Sequence, residues 1–107
     1  MRPCKPQELK EKIDRGDDFV LLDVRNDDEL ARACIKGCMH VPLDKLDDRL
    51  DDLEALKGKE FVVMCHTGIR SQMAQEYLTV QGFKRVRNLD GGIDAYSVEA
   101  DPGLPRY

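Results

Sequence analysis

Cys65, Gly68 and Arg70 fall within one short segment of "FVVMCHTGIRSQMAQEYL", the stretch from Phe61 to Leu78. Four apolar residues run into the cysteine, and beyond the arginine the apolar spacing turns helical. A thiol where a strand hands over to a helix is a candidate nucleophile. Free thiols titrate near 8.5, and values of about 3.5–7.5 occur at helix amino termini or beside cations. The backbone N–H groups of His66, Thr67, Gly68, Ile69 and Arg70, if curled around the sulfur, form an anion-binding nest. Gly68 permits the tight curl, and Arg70 adds a fixed positive charge with hydrogen-bond donors. The competing reading is a buried, inert cysteine. The glycine, the arginine and the strand–loop–helix setting together favour catalysis. His66 has no identifiable Asp or Asn to orient it, which disfavours a protease-like cysteine–histidine dyad.

The elements that must hold this loop are legible from apolar spacing. "FVLLDV" and "EFVVMC" are short, nearly continuous apolar runs, as expected for strands covered on both faces. "PQELKEKIDRG" predicts a helix ending at Gly16, and "NDDELARA" a short helix capped by Asn26 or Asp27. "CMHVPL" predicts a short strand stopped by Pro42. Leu43, Leu46, Leu50, Leu53 and Leu56 have helical spacing. A stripe of Met73, Ala74, Tyr77 and Leu78 marks the helix after the loop, closed by Gly82. "FKRVRNL" predicts a last strand, "DGGIDAYSVE" a turn into a helix, and "DPGLPRY" an irregular tail. Strands alternating with helices predict a parallel sheet with helices on both faces. Cys65 and Asp23 then stand at carboxyl ends of strands, where such sheets gather functional residues.

Composition narrows the classes. At 107 residues the chain has the size of a single domain, expected over residues 1–107. A net charge of −4 with interspersed signs offers no broad basic surface, which argues against nucleic acid as a partner. No apolar run is long enough for a membrane span, and "MRPCKPQELK" lacks a signal-peptide core, so a cytoplasmic location is expected. Four cysteines, Cys4, Cys34, Cys38 and Cys65, are then best read as free thiols. Cys34, Cys38 and His40 lack a neighbouring ligand pair, so no metal is expected.

Four motifs in order resemble the rhodanese (sulfurtransferase) family: "LLDVR" (Leu21–Arg25), "IKGCMHVPL" (Ile35–Leu43), "CHTGIRS" (Cys65–Ser71) and "LDGGIDAY" (Leu89–Tyr96). The resemblance implies an α/β fold with a central parallel sheet of about five strands flanked by helices. It implies Cys65 as the nucleophile that takes a sulfane sulfur from thiosulfate or a persulfide donor. The loop residues His66 to Arg70 then bind the substrate, and a thiol or sulfur-carrier protein accepts the sulfur. No cofactor is implied. Asp23, Arg25 and Ser71 are expected to brace the loop. The end of the chain also resembles rhodanese modules fused to adenylyltransferases that serve sulfur carriers.

Departures from the family pattern are Cys38 where alanine is usual, Tyr96 where tryptophan is usual, and Cys34 before the isoleucine. Cys38 raises a second redox-active thiol as an option. Two other classes stay open: a rhodanese-like anion-binding or interaction module without turnover, and a phosphatase or arsenate reductase. Against the last, only His66, Thr67, Gly68 and Ile69 separate Cys65 from Arg70, one residue fewer than in cysteine phosphatases. The smaller ring suits one sulfur atom better than a tetrahedral oxyanion.

Overall fold

The two continuous apolar runs form the centre of a parallel sheet, because every residue in them must be covered. In the computed structural model, which describes residues 1–107, β1 (Phe19–Asp23) and β3 (Glu60–Met64) pair in register from Phe19 opposite Glu60 to Asp23 opposite Met64. The short β2 (Met39–His40) adds to β1, and β4 (Val86–Asn88) adds to β3, giving the order β2-β1-β3-β4. The sheet has four strands where about five were expected. The fifth position is held by one parallel bridge between Cys4 and Leu89. Pro3 and Pro6 flank Cys4, and proline lacks the N–H a longer ladder requires.

Side-chain alternation sends the strands' residues to two cores. Val20, Leu22, Val24, Phe61, Val63 and Cys65 share one core with Ala74 and Leu78. Leu21, Val62 and Met64 share the other with Leu9, Ile93 and Tyr96. The first face is covered by α3 (Leu50–Glu54) and α4 (Ile69–Val80), and the second by α1 (Pro6–Arg15) and α5 (Gly92–Glu99). Between β1 and β2 lies α2 (Asp27–Arg32), whose Glu29 carboxylate accepts the Asn26 backbone N–H at 3.2 Å. No helix is long and apolar enough to cross a membrane.

Two helical expectations are corrected. The leucine-spaced segment does not form one helix: Leu43–Lys45 is a 3-10 turn, and α3 begins only at Leu50. Asp47, Asp48 and Arg49 interrupt it. Aspartate is a poor interior helix residue, and Asp47 accepts a hydrogen bond from Tyr77 at 2.5 Å. Leu46 and Leu53 nevertheless reach the core. In α4 the buried face is Ser71, Ala74 and Leu78, while Met73 is 55% exposed. The helix is rotated so that Ser71 faces the loop.

The chain leaves β1 toward one edge of the sheet and β3 toward the other. Their carboxyl ends therefore open a crevice at a topological switch point. The helices that follow them, α2 and α4, meet across that crevice.

Candidate active site

Cys65 directly follows β3, with Sγ buried at the start of the loop leading to α4. The Gly68 amide donates to Sγ at 3.0 Å. Gly68 has φ of 110°, a left-handed value that costs a residue with a Cβ but not glycine. It turns the chain back over the sulfur just before α4 begins at Ile69. The first N–H groups of a helix have no intrahelical acceptor, so the opening turn of α4 adds donors beside the sulfur. Among the loop amides, Gly68 alone hydrogen-bonds to Sγ.

Ser71 stands 3.3 Å from Sγ and donates to Asn88 Oδ1 at 2.5 Å. The Asn88 amide is fixed in that orientation because Nδ2 donates to the Gly68 carbonyl at 3.0 Å. With its proton on Asn88, Ser71 accepts from the Cys65 thiol. When the thiol ionises, the hydroxyl can rotate and donate to the sulfur.

The front of the loop is clamped by α5. Ile93 N–H donates to the Cys65 carbonyl at 2.9 Å, and Asp94 N–H to the His66 carbonyl at 3.0 Å. That approach requires Gly92. A Cβ there would lie 2.6 Å from the Cys65 carbonyl oxygen, and closer still to that of His66.

The side chains of Asp23 and Arg25 are fully buried, and none of their hydrogen bonds reaches the loop, so neither braces it directly as expected. Arg25 donates to both Asp23 carboxylate oxygens, from Nε at 3.0 and 3.1 Å and from Nη2 at 2.7 Å. It also donates to the Ala33 carbonyl at 2.7 Å, to the Glu29 carbonyl at 3.3 Å and to the Tyr107 hydroxyl at 3.0 Å. Burial opposes its charge, but the Asp23 carboxylate and Tyr107 hydroxyl more than offset this and push its pKa upward. His40, considered in sequence as a metal ligand, donates from Nε2 to the Arg25 carbonyl at 2.7 Å.

Arg70 hydrogen-bonds to Glu29 and not to the sulfur. Its guanidinium grips the Glu29 carboxylate with bonds of 2.5 and 2.8 Å across the crevice. Tyr107 donates to the same carboxylate at 2.8 Å and stacks on His66, ring centroids 4.2 Å apart. His66 bonds to no carboxylate, and its Nε2 is buried without a partner. Thr67 and Ile69 are exposed at the mouth, Ile69 by 72%.

The structure thus brings together Cys65, Gly68, Arg70 and Ser71, with Asp23 and Arg25 linked to them through Tyr107. Asn88, Glu29, Gly92 and Tyr107 complete the site and escaped the sequence reading. The remaining thiols differ: burial pushes Cys4 and Cys38 up to about 11, and Cys34 is exposed.

The family profile of the rhodanese-like domain matches residues 5–99. The chain belongs to the rhodanese-like family. A putative sulfurtransferase, YtwF of Bacillus subtilis (strain 168), is 38% identical over 94 residues, 88% of each chain. The adenylyltransferase and sulfurtransferase MOCS3-2 of Zea mays is 34% identical over 106 residues, which are 94% of this chain but 22% of that protein. Among solved structures, a rhodanese-like domain protein from Staphylococcus aureus superposes with a TM-score of 0.83 at 30% identity, covering 100% of this chain and 99% of that one.

Proposed function

We propose that this chain, acting as a single domain over residues 1–107, is a sulfurtransferase that carries sulfur as a persulfide on Cys65. The observation that carries the reading is the buried Sγ at the end of β3, receiving the Gly68 amide at 3.0 Å beside the amino terminus of α4. The Cys65 thiolate attacks the outer sulfur of a sulfane donor. The donor's bond to that sulfur breaks, and the leaving group departs with the electron pair, as sulfite from thiosulfate or a thiolate from a persulfide. An acceptor thiolate then attacks the outer sulfur of the enzyme persulfide, and Cys65 leaves as thiolate. Two displacements at one nucleophile replace a direct transfer between donor and acceptor.

His66, Thr67, Gly68, Ile69 and Arg70 form the rim that a donor meets. Ser71 ties into that rim through Asn88, and Asp23 with Arg25 supports it at one remove, through Tyr107 stacked on His66. The four unpaired cysteines fit a reducing, cytoplasmic setting. A thiol or a sulfur-carrier protein suits the role of acceptor, in keeping with the pairing of activities in the MOCS3-2 name.

The test sets sulfur transfer against ester hydrolysis. Thiosulfate or another sulfane donor with cyanide should give thiocyanate in a reaction abolished by Cys65→Ser, and aryl phosphates should not be hydrolysed. Aryl phosphate hydrolysis through Cys65, with no persulfide from any sulfane donor, would sink the reading.

A further inference from the structure

Every guanidinium around the loop already carries a carboxylate. Arg25 is paired with buried Asp23, and Arg106 with Asp94, whose backbone N–H holds the His66 carbonyl. Arg70, the cation on the loop itself, is paired bidentately with Glu29. The Glu29 side chain is 14% exposed and that of Arg70 31%, so water screens this pair only in part. Glu29 cannot easily turn away, since it also accepts from Tyr107 at 2.8 Å and from the Asn26 backbone at 3.2 Å. It stays ionised at neutral pH: the Arg70 hydrogen bonds hold its pKa down at about 2.

An anionic donor entering this mouth therefore meets a cation already neutralised by a fixed carboxylate. Thiosulfate carries two charges and has no second positive group to receive the extra one. We propose that Glu29 is a specificity-determining residue: by neutralising Arg70 it tunes the loop to sulfane donors bearing at most one negative charge, thiol persulfides among them, over the thiosulfate dianion. The chemistry is that already described and rests on the sulfurtransferase reading of Cys65. Only the charge of the leaving group differs between the donor classes.

Methanethiosulfonate is the probe, because it places a methyl group where thiosulfate has an oxyanion. The two donors share shape and sulfane chemistry and differ by one charge. Each kcat/KM is normalised to the donor's rate with a free small-molecule thiolate. The wild-type protein should favour methanethiosulfonate. Glu29→Gln should raise normalised kcat/KM for thiosulfate about tenfold and for methanethiosulfonate about threefold, in line with their charges. Any change in Cys65 reactivity itself cancels in the ratio of the two donors. The double variant Glu29→Gln/Arg70→Gln should return that ratio to near the wild-type value.

A wild-type preference for thiosulfate overturns the proposal, and this comparison needs no variant to fold. An unchanged donor ratio in folded Glu29→Gln does so as well, while leaving the sulfurtransferase reading intact. Failure of both donors to place sulfur on Cys65 overturns that underlying reading, and the proposal falls with it.

Discussion

Asn88 holds Ser71 in place beside the nucleophile: the Ser71 hydroxyl donates to Asn88 Oδ1 at 2.5 Å while standing 3.3 Å from Cys65 Sγ. Asn88 Nδ2 also donates to the Gly68 carbonyl, at 3.0 Å. The last residue of β4 thus ties the loop's turn to the first turn of α4.

Asn88→Ala removes both ties and leaves the fully buried Ser71 hydroxyl only the weaker acceptor Cys65 Sγ, 3.3 Å away. Two hydrogen bonds lost at about 0.5–1.5 kcal/mol each cost about 1–3 kcal/mol. The variant should unfold at lower urea concentration, and alkylation of Cys65 by iodoacetamide should slow. Urea melts with peptide mapping of alkylated protein check both. Unaltered alkylation in a destabilised protein would show that Asn88 supports the fold but not the thiol.

Gly92→Ala tests the clamp on the loop. The added Cβ would meet the Cys65 carbonyl oxygen at 2.6 Å, on a backbone with φ of 65°. Either α5 backs away or the loop moves, and both separate the Ile93 and Asp94 amides from their acceptors. The expected cost is about 2–4 kcal/mol, from overpacking together with a left-handed backbone. Gly16→Ala is the control, since its φ is 70° but its Cβ would meet nothing within 4 Å. Equal losses of stability in the two variants would contradict the clamp.

The buried Asp23–Arg25 pair should be intolerant of losing one partner. Arg25→Met leaves Asp23 as an uncompensated buried charge, a loss of about 3–5 kcal/mol. It also frees the Ala33 carbonyl and the Tyr107 hydroxyl. Equilibrium denaturation should show a large drop in midpoint at neutral pH, and a drop under about 1 kcal/mol would contradict a buried ion pair.

Acid should reveal the Glu29–Arg70 tie. The folded-state pKa of Glu29 is depressed from 4.5 to about 2, chiefly by Arg70. A depressed carboxylate contributes stability that is complete above its unfolded value and is lost as pH falls through its folded value. Its contribution should therefore decline between about pH 4.5 and pH 2. Glu8, held down to about 2 chiefly by Arg87, titrates in the same window and contributes to the same limb. Glu29→Gln should be less stable at neutral pH and show a shallower acid limb in pH-dependent urea midpoints. An acid limb as steep as the wild type's would contradict the tie.

Sequence revealed what local chemistry determines. The β1 and β3 runs, the Gly68 turn and the position of Cys65 at a strand's end all follow from residue types a few positions apart. Glu29 lies 41 residues from Arg70, and Asn88 lies 17 from Ser71. Their roles depend on which strands become neighbours, which no local periodicity encodes. Glu29 sits in the first turn of α2, where an acid is ordinary, so its residue type alone does not point to Arg70. Gly92 could have been questioned from sequence, since a paired glycine opening a helix is costly unless something packs closely against it. Met73 was misplaced because helical spacing gives the width of an apolar stripe without saying which edge faces the core. Ser71, polar and fully buried, fixes that edge.

Intact-mass measurement with peptide mapping tests the central claim most directly. Protein incubated separately with thiosulfate and with methanethiosulfonate, then freed of donor, should gain the mass of one sulfur atom from at least one of them. The added sulfur should map to Cys65, be removed by a thiol reductant, and be absent in a folded Cys65→Ser variant. Added sulfur found on Cys34 or Cys38 with Cys65 unmodified, or none from either donor, would contradict the account.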